Sequence, residues 1–101
     1  MQNQNQKENE SDNRKRSHNE VIIDILKVIY EKNNRIKPTH LMYKANLSHK
    51  SMKDYMIKLL KNNLVKETKI IDKKMFELTD KGKEYYIKSR QLIEFQKTFG
   101  L

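Results

Sequence analysis

The chain of 101 residues has no cysteine, two glycines (Gly82 and Gly100) and one proline, Pro38. Without cysteine there is neither a disulfide framework nor a thiolate metal site, which fits a reducing cytoplasm. Two isolated glycines cannot build a glycine-rich phosphate loop. Long hydrophobic runs are missing too. The longest mainly apolar stretch, "VIIDILKVIY" (21–30), is interrupted by Asp24 and Lys27 and falls far short of a bilayer span. The polar N-terminus lacks the apolar core of a signal peptide. Catalytic constellations are equally scarce. His18, His40 and His49 stand isolated, with no HExxH spacing. Ser48 has no G-x-S-x-G context, so capping a helix is its simpler role. The expectation is a protein that is not an enzyme, with no cofactor, metal or small-molecule ligand and no membrane segment.

What is present is positive charge, and it is localised. The formal net charge is +9. Residues 1–20 carry four basic and four acidic side chains and balance out. Residues 35–74 carry eleven Lys/Arg against Asp54, Glu67 and Asp72. A field concentrated in one segment points to a polyanion, with nucleic acid ahead of an anionic membrane surface.

Residues 1–16 form a polar tail, rich in Gln, Asn and Glu, with too little to bury for ordering to be repaid; disorder is expected there. "RKRSH" (14–18) is either a basic arm toward phosphate or the solvated start of the next helix. From Val21 the pattern becomes helical: Ile22, Ile25, Leu26 and Ile29 share one face, over roughly 17–33, with Ser17 as N-cap. Arg35–Lys37 reads as a short strand before Pro38, which suits the first turn of a helix "PTHLMYKA". "NLS" follows: Asn46 tolerates the left-handed conformation, Leu47 drops inward and Ser48 caps a third helix over 48–62. Then come "LVKETKII" and "MFELT", strands near 64–71 and 75–79 around an Asp-Lys-Lys tip. Thr79 caps a last helix running to about Thr98. Gly82, near its start, suits close approach of another backbone. The order α-β-α-α-β-β-α, mainly α with a small antiparallel sheet, is that of a winged helix-turn-helix.

That architecture explains why the chain breaks a helix for three residues and restarts it with basic residues. The second helix of the motif projects its N-terminal end toward a major groove, and the tight turn fixes the crossing. Leu41, Ala45, Leu47, Met52 and Tyr55 would lock the pair. His49, Lys50, Ser51, Lys53 and Asp54 would read DNA, with Tyr43 and Lys44 nearby on the preceding helix. Lys69, Lys73 and Lys74 cluster at the hairpin tip. They serve either as a wing on backbone or minor groove, or as edge lysines that prevent strand aggregation.

"KANLSHKSMKDYMIKLLKNNLV" and "FELTDKGKEY" carry a resemblance. Over about residues 17–90 the chain resembles the small archaeal winged helix-turn-helix regulators of the ArnR-like class. It also resembles related archaeal chromatin proteins that dimerise through a C-terminal coiled coil, although its last helix is shorter than theirs. "YKANLS" and "LTDKG" are the most specific parts. The resemblance implies DNA binding and a transcriptional or nucleoid role in an archaeon.

The domain organisation expected is a tail (1–16), a DNA-binding domain (17–79) and a C-terminal helix (80–101) that forms a homodimer. Tyr85, Leu92 and Phe99 recur every seven residues, with Phe95 between the last two, as a helix–helix seam requires. The competing arrangement folds these residues back on the first helix. The function expected is a double-stranded DNA-binding transcriptional regulator in the cytoplasm, at the nucleoid. A non-specific chromatin protein and a winged-helix protein-interaction adaptor are the alternatives.

Overall fold

The computed structural model describes residues 16–101; the disorder expected for the tail lies outside them, except at Arg16. The elements are α1 (His18–Glu31), β1 (Arg35–Ile36), α2 (Pro38–Lys44), α3 (His49–Lys61), β2 (Val65–Ile70), β3 (Lys73–Leu78) and α4 (Asp80–Lys97). The element order matches the sequence reading.

Three helices begin on a hydroxyl cap. The side chains of Ser17, Ser48 and Thr79 accept from the backbone N–H of Glu20, Ser51 and Gly82 respectively. Glu20 returns a bond to the Ser17 N–H, completing a capping box. α2 instead begins on Pro38, whose missing N–H is no loss in a first turn. α1 stops at Glu31, short of the expected 33, because Asn33 and Asn34 both turn left-handed, at φ 57° and 73°.

β3 is the central strand of an antiparallel sheet ordered β1-β3-β2. Val65 pairs with Leu78, Glu67 with Phe76 and Ile36 with Phe76, so one face of the sheet turns to the helices. Ile25, Leu26, Ile29, Ile36, Leu41, Leu59 and Val65 are fully buried in the core beneath it. Burying each such side chain stabilises by roughly 1.5–3 kcal/mol.

The hairpin corrects the sequence reading. Its turn is Ile71–Asp72, both left-handed (φ 50° and 64°), and pairing begins at once with Ile70 opposite Lys73. The strands are therefore 65–70 and 73–78, not 64–71 and 75–79, and Lys73 and Lys74 lie in β3, not at the tip. A two-residue turn with both residues left-handed matches the twist of the strands it joins, so no looser tip is needed. Asp tolerates this conformation; a β-branched Ile does not, and such strain costs on the order of 1–3 kcal/mol.

α4 starts directly on the loop that ends α3. Thr79 Oγ1 donates to the Asn63 carbonyl (2.6 Å), the Thr79 N–H donates to the Leu64 carbonyl (3.2 Å), and Lys81 Nζ donates to the Asn62 carbonyl (3.0 Å). A Cβ on Gly82 would sit 2.0 Å from the Leu64 oxygen, so the close approach anticipated there is real and excludes any side chain. Gly82→Ala is expected to destabilise by about 1–3 kcal/mol despite the gain of roughly 1 kcal/mol in helix propensity. Urea unfolding checks this, with an equal or higher midpoint counting against it.

Candidate nucleic-acid interface

α2 ends with Ala45 as C-cap and Asn46 at φ 57°, and the Leu47 N–H returns to the Met42 carbonyl (3.0 Å). This closes α2 in one residue and releases the chain into the Ser48 cap of α3. Leu41, Ala45 and Met52 are buried in the common core, with Leu47 and Tyr55 half-buried against it. The opposite side of α3 is consequently outside. His49, Lys50, Lys53 and Asp54 are exposed, while Ser51 is half-buried. Lys50 Nζ lies 3.5 Å from Asp54 Oδ2 one turn on, but both groups are well solvated and the pair holds them only weakly.

The hairpin places its lysines on two faces. Lys69 and Lys74 are direct cross-strand partners, so they share the face that continues through Glu67 and Phe76. Lys73 pairs with Ile70 and therefore points to the other face. Like charges opposed in this way repel. Lys74 is offset by Glu67 (3.3 Å) and by the Phe76 ring, whose centroid is 5.3 Å from its ammonium.

α3 and the hairpin meet in a cleft of about 280 Å³. Met42, Met52, Met56 and Phe76 supply its apolar walls, and His49, Lys53, Glu67 and Lys74 its charged and polar ones. His49 and Lys53 are thus brought together with Lys74. Lys44 is not: it lines a separate recess with Glu31 and Lys32 at the end of α1. Tyr43 lines neither recess and is 83% exposed, so it is not a core tyrosine.

A family model for the winged helix-turn-helix matches residues 15–97. The chain belongs to the winged helix-turn-helix family. It is 40% identical over 80 residues to the uncharacterized protein MJ0287 of Methanocaldococcus jannaschii, covering 79% of this chain and 76% of that one. Among solved structures it is similar to Sso10a-2, a DNA-binding protein from Sulfolobus solfataricus (TM-score 0.69, 23% identity, 83% of this chain and 85% of that one). It is also similar to F93 from STIV, a winged-helix DNA-binding protein (TM-score 0.68, 20% identity, 79% and 92% covered).

Within this winged helix-turn-helix, three residues gain a place that the sequence reading did not give them. Ile57 lies on the charged side of α3 yet is apolar and 56% exposed, beside Lys53 in the cleft lining. Its position on the polar side of the helical pattern was the available signal. Ile71, read as the end of a strand, is the turn itself. Arg16, the first described residue of the basic run, turns inward rather than standing as a solvated helix start. Its guanidinium donates to Asp24 Oδ2 (2.8 Å) and to the carbonyls of Ala45 (3.0 Å) and Asn46 (3.2 Å). Those two carbonyls end α2, where a cation is favoured and acceptors would otherwise lack partners. His18 Nδ1 meets the Tyr55 hydroxyl at 2.7 Å, tying the start of α1 to α3 as well.

The last helix divides in two. Gly82 and Tyr86 are buried against the body, with the Tyr86 ring 5.1 Å from Tyr30 on α1, and Tyr85 is half-buried. Further along, Leu92, Phe95 and Phe99 are all more than half exposed, and Phe95 and Phe99 stack edge to face. The first half of α4 folds back on α1 through Tyr86, and the apolar residues of the second half stay open.

Arg16→Met is expected to lower stability by about 1–2 kcal/mol, since its bonds to Asp24, Ala45 and Asn46 are charge-assisted but Asp24 is partly solvated. Urea melts measure the loss, and an unchanged midpoint would show that the turn does not depend on this clamp.

Proposed function

We propose that this chain is a homodimeric double-stranded DNA-binding protein that regulates transcription, and that it belongs among the archaeal ArnR-like regulators. α3 lies in a major groove, where His49, Lys50, Ser51, Lys53 and Asp54 meet base edges. The hairpin is the wing, its Lys69, Lys73 and Lys74 on the flanking backbone or minor groove, with Tyr43 and Lys44 against phosphate from α2. The supporting observation is the shared cleft, where α3 and the wing present His49, Lys53 and Lys74 together. A duplex seated on α3 meets the wing without any rearrangement. The DNA-binding proteins to which the fold is similar point the same way. No helix among the described residues is long and apolar enough to cross a membrane, and the working place in this reading is the nucleoid of the cytoplasm.

One observation favours a second reading, chromatin-type binding without strong sequence preference. α3 contains four lysines and no arginine. Lysine acts as a point charge on phosphate, while bidentate recognition of guanine is mainly arginine's.

The dimer rests on the second half of α4. Residues 17–79 would form the reading head and 80–101 the assembly element. Leu92, Phe95 and Phe99, with Tyr85 at the inner end, make an apolar stripe that the monomer leaves largely open. A second α4 against it would bury the stripe and give the two-fold symmetry that paired half-sites require.

Titration with random and promoter-derived duplexes at two salt concentrations tests DNA binding. Affinity should fall steeply with salt, and Lys50→Ala and Lys53→Ala should each weaken binding by roughly 1–3 kcal/mol where a base edge is read. Relaxed specificity distinguishes regulator from chromatin protein, and little binding at either salt would favour a protein-interaction adaptor. Leu92→Glu with Phe95→Glu should give a folded monomer with weaker DNA binding. Sedimentation equilibrium decides this, because a parent chain already monomeric at about tens of micromolar has no such seam.

A further inference from the structure

We propose that Ile71 is an apolar wedge that enters the minor groove of double-stranded DNA and partly unstacks a base step. The inference rests on the DNA-binding reading above and adds to it a residue that deforms the duplex.

The sequence of the turn is at odds with its conformation. Ile71 and Asp72 both have positive φ, 50° and 64°, in a two-residue hairpin turn. Asn, Asp and Gly are the usual residues in such turns, and Asp72 conforms. Isoleucine is among the residues least suited to the left-handed region. Packing does not account for its presence, since Ile71 is 91% exposed and contributes nothing to the core. Neighbouring Ile70 is also exposed, at 37%. The wing thus ends in an apolar point held in a strained conformation, and strain retained at an exposed position calls for a functional reason.

The surroundings select the partner. Lys69, Lys73 and Lys74 stand on both faces of the hairpin within three residues of Ile71, and all are exposed. The face bearing Lys74 shares its cleft with His49, Lys53 and Ile57 of α3. A polyanion bound along α3 therefore passes the wing tip with its phosphates beside the lysines. Minor-groove binders combine these two features, cations for the narrow groove and an aliphatic side chain pushed between bases. The lysines bring phosphate to both sides of the tip and leave Ile71 facing the groove floor. Flexible pyrimidine–purine steps, which open most easily, are the substrate this arrangement fits.

The test uses the full chain and Ile71→Asn, which suits the turn and removes the wedge, with Ile71→Met to keep an apolar chain. Readouts are the melting temperature, affinity for duplexes with a central TA step or a GC-only core, bending by end-to-end energy transfer, and 2-aminopurine fluorescence at the step. For Ile71→Asn the expected result is an equal or higher melting temperature, about tenfold weaker binding to the TA duplex, and loss of both bend and fluorescence rise. Ile71→Met should retain both signals. A lower melting temperature for Ile71→Asn would make the residue structural and overturn the wedge. Unchanged binding and bending would also overturn it while leaving the DNA-binding reading intact. Failure of the parent chain to bind any duplex would overturn both. Loss of binding to phosphatidylserine vesicles in Ile71→Asn, with duplex binding unchanged, would assign the tip to a lipid surface instead.

Discussion

Each helix among the described residues is closed by a left-handed turn, of two residues after α1 and of one after the others, and the chain does it almost without glycine. Asn33, Asn46 and Asn63 follow α1, α2 and α3 at φ 57°, 57° and 61°, and only α4 ends on a left-handed glycine, Gly100. In each case a backbone N–H beyond the helix returns to a carbonyl of its last turns: Asn34 to Ile29, Leu47 to Met42, Leu64 to Leu59 and Leu101 to Gln96. The reversal is abrupt enough to drop the following leucine toward the core after α2 and α3, where Leu47 and Leu64 pack on it. Asparagine suits these sites because its short polar side chain tolerates the left-handed region better than most. The angle between α2 and α3, and the start of β2, both follow from these closures.

From that constraint the surface chemistry follows. Asn46 sets α3 across α2 so that its apolar side is consumed by the core and its charged side is left outside. Asn63 and the Gly82–Leu64 contact bring β2 and α4 in against the end of α3, which holds the wing beside the reading helix. The polar clamps act on the same joints. Arg16 binds the carbonyls that Asn46 leaves at the end of α2, and His18 holds Tyr55 on α3. Arg16 lies just before α1 and His18 begins it, so the first described residues stabilise the turn on which the proposed interface depends. Among the described residues, the left-handed site that uses neither asparagine nor glycine, apart from Asp72, is Ile71, and that departure marks the wing tip.

Much of this is legible in the sequence. Caps at Ser17, Ser48 and Thr79, the Pro38 start, the Asn46 turn and the need for a small residue at Gly82 are local signals, each tied to a backbone group that must be satisfied within a few residues. The element order followed from them. The hairpin turn was less legible because its best sequence signals, Asn-Gly or Asp-Gly, are absent. In "IIDKKM" the polar Asp-Lys-Lys is the locally favoured tip, whereas strand twist selects the shorter Ile-Asp turn. The face on which each wing lysine lies depends on that register, so it moved with the turn.

The sequence by itself determined the periodicities, the caps and the excess charge between residues 35 and 74. These fix the element order, and with it the side of α3 that faces water, because helix and strand periods act over neighbouring residues. Only the tertiary structure decided which charges share a surface. Lys74 joins His49 and Lys53 across a cleft, Lys44 is left beside α1, Arg16 turns inward to the α2 carbonyls, and α4 buries Tyr86 but leaves Phe95 open. These arrangements depend on how elements distant in sequence pack together, and packing is set by volume and backbone approach rather than by local pattern.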